Sequence, residues 1–207
     1  MEQLKVESRN VVAPGEVLAE GMDYLPGYGT YRRDDKIIAK KLGLMNPRKR
    51  VVKLIPLSGR YLPSVDDVII GRISDISISG WRVEINSAYT AMISMKEATS
   101  QYIKRGSDLT KWFDVGDYIV TKIINVTSQN LIDLTMKGRG LKKLEDGRVV
   151  KISCAKVPRV IGRGGSMVKT VKHATNCEII VGQNGLVWVQ GNPKNEVKAV
   201  EAIKMID

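Results

Sequence analysis

The chain has 207 residues, more than one small module needs and enough for two or three compact domains. Lys and Arg number 33 against 22 Asp and Glu, a net charge of +11, and 43% of residues are hydrophobic, which excludes wholesale disorder and points to a polyanion among the partners. Two cysteines and one histidine exclude a disulfide framework, a four-ligand zinc site and any chemistry built on paired histidines.

The opening residues MEQLKVESRN carry no apolar run behind a basic patch, so no signal peptide is expected. No run reaches the roughly 18 apolar residues of a membrane span. The expectation is a soluble protein of a reducing compartment, the cytoplasm.

Charge is uneven along the chain. Residues 1–60 hold 12 basic and 7 acidic side chains, residues 61–146 hold 11 of each, and residues 147–207 hold 10 and 4. The whole excess therefore lies in the two end blocks, as a local basic face for a polyanion requires.

The first block predicts a small β domain over 1–60. Pro14-Gly15 and Pro26-Gly27 punctuate it, and β-branched runs at 36–39 and 51–55 are short and bounded by breakers. No helical period precedes residue 60. Arg48-Lys49-Arg50 could touch RNA, meet an acidic partner or face solvent.

The second block predicts five strands at 67–76, 81–85, 90–94, 117–126 and 131–136, with one long polar connection from 95 to 115. That spacing suits a small Greek-key barrel of the OB type, whose face and loops take single-stranded nucleic acid. Trp81 is expected to point away from Arg82, into core or interface packing. Residues 138–147, within KGRGLKKLEDG, predict a basic linker.

The third block predicts a strand at 148–155, a glycine loop between two helices, strands at 177–181 and 186–189 around Gln183-Asn184-Gly185, and a final helix opened by Pro193. Met167, Val168, Val171 and Thr175 share one face of the helix after the loop. Cys154 and Cys177 fall in predicted strands and are expected to be ordinary buried residues.

Catalytic candidates are few. Asp34-Asp35 and Asp66-Asp67 could hold a divalent metal, but each sits where a turn is expected, and neighbouring side chains on an extended chain point apart. His173 is expected to be an ordinary surface residue. Neither a catalytic site nor a cofactor is expected, and a nuclease would need a cluster that the sequence does not show.

The glycine loop carries a resemblance. VPRVIGRGGSM at 157–167, followed by an amphipathic helix and two strands, resembles a K-homology (KH) domain of type I, in which such a loop clamps the RNA backbone. Gly162, Arg163, Gly164 and Gly165, with Arg159 and Lys169 beside them, are by that resemblance RNA-binding residues. VIIGRI at 68–73, GWRVEI at 80–85 and VGD at 115–117 resemble the S1-type OB domain over 61–137.

One S1-type domain followed by one KH domain over 148–207, behind a small β domain, resembles the RNA-binding cap subunit of the archaeal exosome. VAPGEV at 12–17, YLPGYGTY at 24–31 and IPLSGRYLPSVDDV at 55–68 carry the same resemblance through the first block. It implies a non-catalytic subunit that binds single-stranded RNA. Three copies would sit on a hexameric ring of RNase PH-like subunits, which degrades RNA 3′ to 5′, with the first domain docking on the ring.

The S1 face departs from its family. Ser79 and Arg82 stand where aromatics are usual and Ser94 where His is common, so Arg82, Lys104 and Arg105 are expected to contact phosphate in place of stacking rings. A free-standing S1/KH regulator would use the same residues without a ring.

Overall fold

The computed structural model describes residues 3–104 and 106–206. The chain divides into two compact units, Met1–Gly59 and Arg60–Asp207.

The first unit is all β among its described residues. One antiparallel sheet runs in the order Gln3–Leu4, Val17–Glu20, Lys36–Ala39, Thr30–Arg33, and a second in the order Val11–Val12, Gly43–Arg48, Val51–Pro56, Leu25–Pro26, its last pairing parallel. Val12, Leu18, Ile37, Met45, Val52 and Leu54 form its core. The turn at Asp34-Asp35 places Asp34 at a positive φ of 55°, and both side chains are exposed.

The second unit opens with a closed barrel. Its strands are β1 Val68–Ser77, β2 Gly80–Glu84, β3 Thr90–Ser94, β4 Tyr118–Val126 and β5 Ile132–Thr135. They close in the order β1-β2-β3-β5-β4-β1, with only the β3–β5 pairing parallel. Strict alternation builds this core. In β2, Trp81 and Val83 turn inward while Arg82 and Glu84 turn out, and in β3 Ala91 and Ile93 turn inward.

Trp81 is fully buried, as expected; its indole N–H donates to the Phe113 carbonyl at 2.9 Å, and the two rings meet edge-on at 5.4 Å. Those contacts leave no polar atom of the indole unpaired. The long connection is not a free loop. After the helical turn α1, Met95–Ala98, it drops Ile103, Leu109 and Phe113 into the same core.

The Asp66-Asp67 pair is occupied by neighbours. Asp66 meets Lys122 at 2.7 Å, and Asp67 accepts a 2.6 Å hydrogen bond from the Tyr61 hydroxyl.

Residues 138–147, read from the sequence as a basic linker, carry a sixth strand, β6 Lys143–Leu144, paired to β4. Leu144 is buried with Ile70, Val120 and Trp188 in a small core shared by the barrel and the last block.

That block runs β7 Arg148–Lys151, α2 Val157–Ile161, α3 Ser166–Thr175, β8 Glu178–Val181, β9 Leu186–Gln190 and α4 Pro193–Ile206. The β-α-α-β-β-α order and the antiparallel sheet order β7-β9-β8 are those of a type I KH domain. Its core joins Ile152, Val160, Val171, Ile179, Val189 and Ile203.

The predicted strand over 148–155 ends at Lys151. Cys154 starts a short 3₁₀ turn and is half-buried, its thiol donating to the Asn184 carbonyl at 3.3 Å, whereas Cys177 is buried. The Ile152 N–H still donates to the Gly185 carbonyl, the next partner in register, and the chain then leaves the sheet for the 3₁₀ turn Cys154–Lys156. Val171 and Thr175 are buried on α3 and Val168 is half-buried, while Met167 remains exposed.

Candidate nucleic-acid interface

The loop between α2 and α3 is built from three glycines with different roles. Gly162 closes α2, donating its N–H to the Pro158 carbonyl at 3.0 Å. Its φ of 74° and ψ of 176° lie where essentially only glycine is found, and a Cβ there would meet the backbone N and Cγ of Met167 at 2.8 Å. Gly162 is required by the fold.

Gly164 and Gly165 differ. Both are left-handed, at φ 59° and 80°, yet a Cβ on Gly164 would meet nothing within 4 Å and one on Gly165 only Lys169 Cε at 3.9 Å. The space outside these two positions is open.

That open backbone leads into the N-terminus of α3, a ten-residue helix with no side-chain cap. The Ser166 N–H donates back to the Arg163 carbonyl, and the helix start carries the positive end of the helix dipole. An anion is the natural partner of such an end. Arg159, Arg163 and Lys169 are exposed around the loop, and none has an ion-pair partner among the described residues. The structure thus brings six of the predicted residues, Arg159, Gly162, Arg163, Gly164, Gly165 and Lys169, to one place.

The three predicted S1 residues do not form a comparable cluster. Arg82 is exposed on β2 but lies 3.8 Å from Asp75, its register partner on β1, so its charge is partly answered within the fold. Lys104 is exposed and unpaired among the described residues; Arg105 lies outside them. Ser79 and Ser94 are exposed, leaving no ring at those positions.

One residue of this region escapes a reading by pattern. Tyr102 is 90% exposed in the long connection, against 50% for Tyr28, the next most exposed aromatic among the described residues. Its only sequence signal is an aromatic two positions before Lys104.

The titrating groups are structural. Burial first, then the hydrogen bond to the Asp67 carboxylate, pushes the Tyr61 phenol well above its ordinary value. Burial also pushes the Cys154 thiol up, which keeps it a poor nucleophile. Asp108 is held below the usual carboxylate range by hydrogen bonds from the Thr110 hydroxyl and N–H. None of these lies in the glycine loop.

Three family profiles match the chain in order: "Exosome complex exonuclease RRP4 N-terminal region" over residues 11–46, "RRP4, S1 domain" over 60–107 and "KH domain" over 147–195. A curated relative, exosome complex component Rrp4 of Pyrococcus abyssi, is 43% identical over 211 residues, covering 100% of this chain and 79% of its own. Its namesake in Methanothermobacter thermautotrophicus is 41% identical over 204 residues; the alignment covers 99% of this chain but 64% of the relative, so this chain spans less than two thirds of that protein's length.

A crystal structure that bears the provisional name of an exosome complex RNA-binding protein is 40% identical. It superposes with a TM-score of 0.67 over 72% of this chain and 86% of its own. With an N-terminal domain, an S1 barrel and a KH domain in that order and a match along its whole length, the chain belongs to the Rrp4 family of exosome components.

Proposed function

We propose that this chain is a non-catalytic, RNA-binding cap subunit of an exosome, which holds single-stranded RNA and guides it into a cytoplasmic ring of RNase PH-like subunits. The observation that carries the binding role is the glycine loop. Gly164 and Gly165 leave the backbone open beside the uncapped start of α3, with three cations around it that have no ion-pair partner among the described residues. A phosphate group fits that combination of exposed N–H donors and positive charge.

S1 and KH folds are binding modules, which supports assigning the phosphorolysis to the ring rather than to this chain. The functional division follows the boundaries read from the sequence: ring docking by 1–60, and RNA binding by the S1 domain at 61–137 and the KH domain at 148–207. Three copies would sit on one hexameric ring.

The test mixes labelled single-stranded RNA with the chain alone, the ring alone and both, with and without phosphate. The chain alone should leave the RNA intact, co-purify with the ring, and speed phosphate-dependent shortening by it. Shortening by the isolated chain, or failure to associate with the ring, contradicts the proposal.

A further inference from the structure

We propose that the groove beside Tyr102 is a stacking site for one unpaired nucleobase of single-stranded RNA, with Lys96 and Lys104 against the flanking phosphates. The proposal rests on the RNA-binding reading above and adds a site to it. It starts from an unusual exposure. Ile103 is anchored in the barrel core at 6% exposure, and its neighbour Tyr102 is left outside that core at 90%. The phenol ring has no ring neighbour and no hydrogen-bond partner among the described residues.

Beside the ring lies a cavity of about 730 Å³, a size that takes a small organic group, lined by Met95, Lys96, Thr99, Tyr102, Ile103 and Lys137. A planar base requires such a space next to an accessible π face.

Charge around the groove favours a nucleic acid over a protein. Its one carboxylate, Glu97, is already engaged twice, accepting from the Thr135 hydroxyl at 2.6 Å and facing Lys137 at 3.8 Å. Lys96 and, two residues beyond the ring, Lys104 remain exposed and unpaired among the described residues.

The groove also supplies what the strands lack. Ser79, Arg82 and Ser94 offer no π face on β2, β3 and the turn before β2, so a ring in the connection after β3 gives the barrel a platform where cations are close by. Stacking on an aromatic tolerates any base, because every base has a π face.

The experiment uses the full chain and two probes: a single-stranded oligoadenylate and the same strand with its bases removed but its phosphates kept. Tyr102→Ala should weaken oligoadenylate binding by about 5- to 150-fold, the range that loss of one stacked base implies. Tyr102→Phe should stay within about twofold of the wild type, since it keeps the π face. On the abasic strand all three proteins should bind alike. Equal binding of oligoadenylate by Tyr102→Ala and wild type overturns the stacking site while leaving the RNA-binding reading intact. If that variant instead loses only its association with the ring, the groove is a protein contact and the proposal fails. Failure of the wild type to bind either strand overturns the reading on which the site rests. Thermal unfolding of each variant shows that the fold survives, as the exposure of Tyr102 predicts.

Discussion

The side-chain amide of Asn184 pairs with both backbone groups of Ile70: its Oδ1 accepts from the Ile70 N–H at 3.3 Å, and its Nδ2 donates to the Ile70 carbonyl at 2.7 Å. Nδ2 also donates to the Ile85 carbonyl at 2.9 Å, and the Asn184 carbonyl accepts from Asn86 Nδ2 at 2.8 Å. Asn184 sits in the turn between β8 and β9, whereas Ile70 and Ile85 belong to the barrel, so one fully buried side chain ties the KH domain to the S1 domain. Gln183 adds two bonds to Val68, its N–H donating at 3.0 Å and its Oε1 accepting at 3.1 Å.

Asn184→Ala leaves three buried backbone groups without these partners. Each such group costs about 1–3 kcal/mol, so a loss of roughly 2–5 kcal/mol is expected once water partly relieves the site. Calorimetry should show the S1 and KH domains melting together in the wild type and separately in the variant. A single transition at unchanged temperature in the variant would contradict this role.

The glycine loop predicts a split between stability and binding. Gly162→Ala puts a Cβ against Met167 in a glycine-only conformation and should lower stability by about 1–3 kcal/mol. Arg163→Asp with Gly164→Asp should barely change the melting temperature, because the space at Gly164 is open and Asp tolerates the left-handed region better than most residues. Its RNA affinity should fall at least about tenfold, since two negative charges stand where phosphate is expected. Melting curves and filter binding on the same preparations separate the two effects.

Binding should also be strongly salt-dependent. With Arg159, Arg163, Lys169 and Lys104 each neutralising one phosphate, log K should fall with log salt at a slope of about −3, from roughly −0.7 per contact on a single strand. Lys104→Ala should flatten that slope by about 0.7 and weaken all sequences alike. A slope near zero in the wild type would mean that charge is not the grip.

Tyr61 predicts an alkaline limit. Its phenol is raised in the folded state above its unfolded value of about 10, so its contribution to stability is fully present below that pH and is lost as pH rises beyond it. Tyr61→Phe removes the hydroxyl and with it this dependence. The stability gap between wild type and variant, read from urea midpoints at pH 8 and at about pH 10.5, should narrow at the higher pH. A constant gap would contradict the titration.

Much of this fold is legible in sequence because alternation and breakers mark its strands. The predicted β strands of the barrel lie within one or two residues of β1 to β5, since residues such as Trp81, Val83, Ala91 and Ile93 turn inward in strict period. The glycine loop is legible for a different reason: its spacing encodes a backbone shape. The seam between S1 and KH is not legible. Asn184-Gly185 already makes sense as a hairpin turn, which hides its second role, and Lys143-Leu144 is too short to show a period.

Arg82 shows the same limit at the scale of one side chain. Its pairing with Asp75 depends on the β1–β2 register, which shifts between Arg82 and Val83. Tyr102 is hidden inside a polar connection whose anchors, Ile103, Leu109 and Phe113, reveal themselves only in the folded core.

The most direct test of the RNA-binding account is amide hydrogen exchange of the full chain with and without single-stranded oligoadenylate. The account predicts slowed exchange at residues 162–168, where the open glycines and the first turn of α3 meet phosphate. It predicts no change in the melting cooperativity of the S1–KH unit. Saturating RNA that leaves exchange at 162–168 unaltered, while protecting some other surface, would contradict the assignment of the glycine loop as the grip.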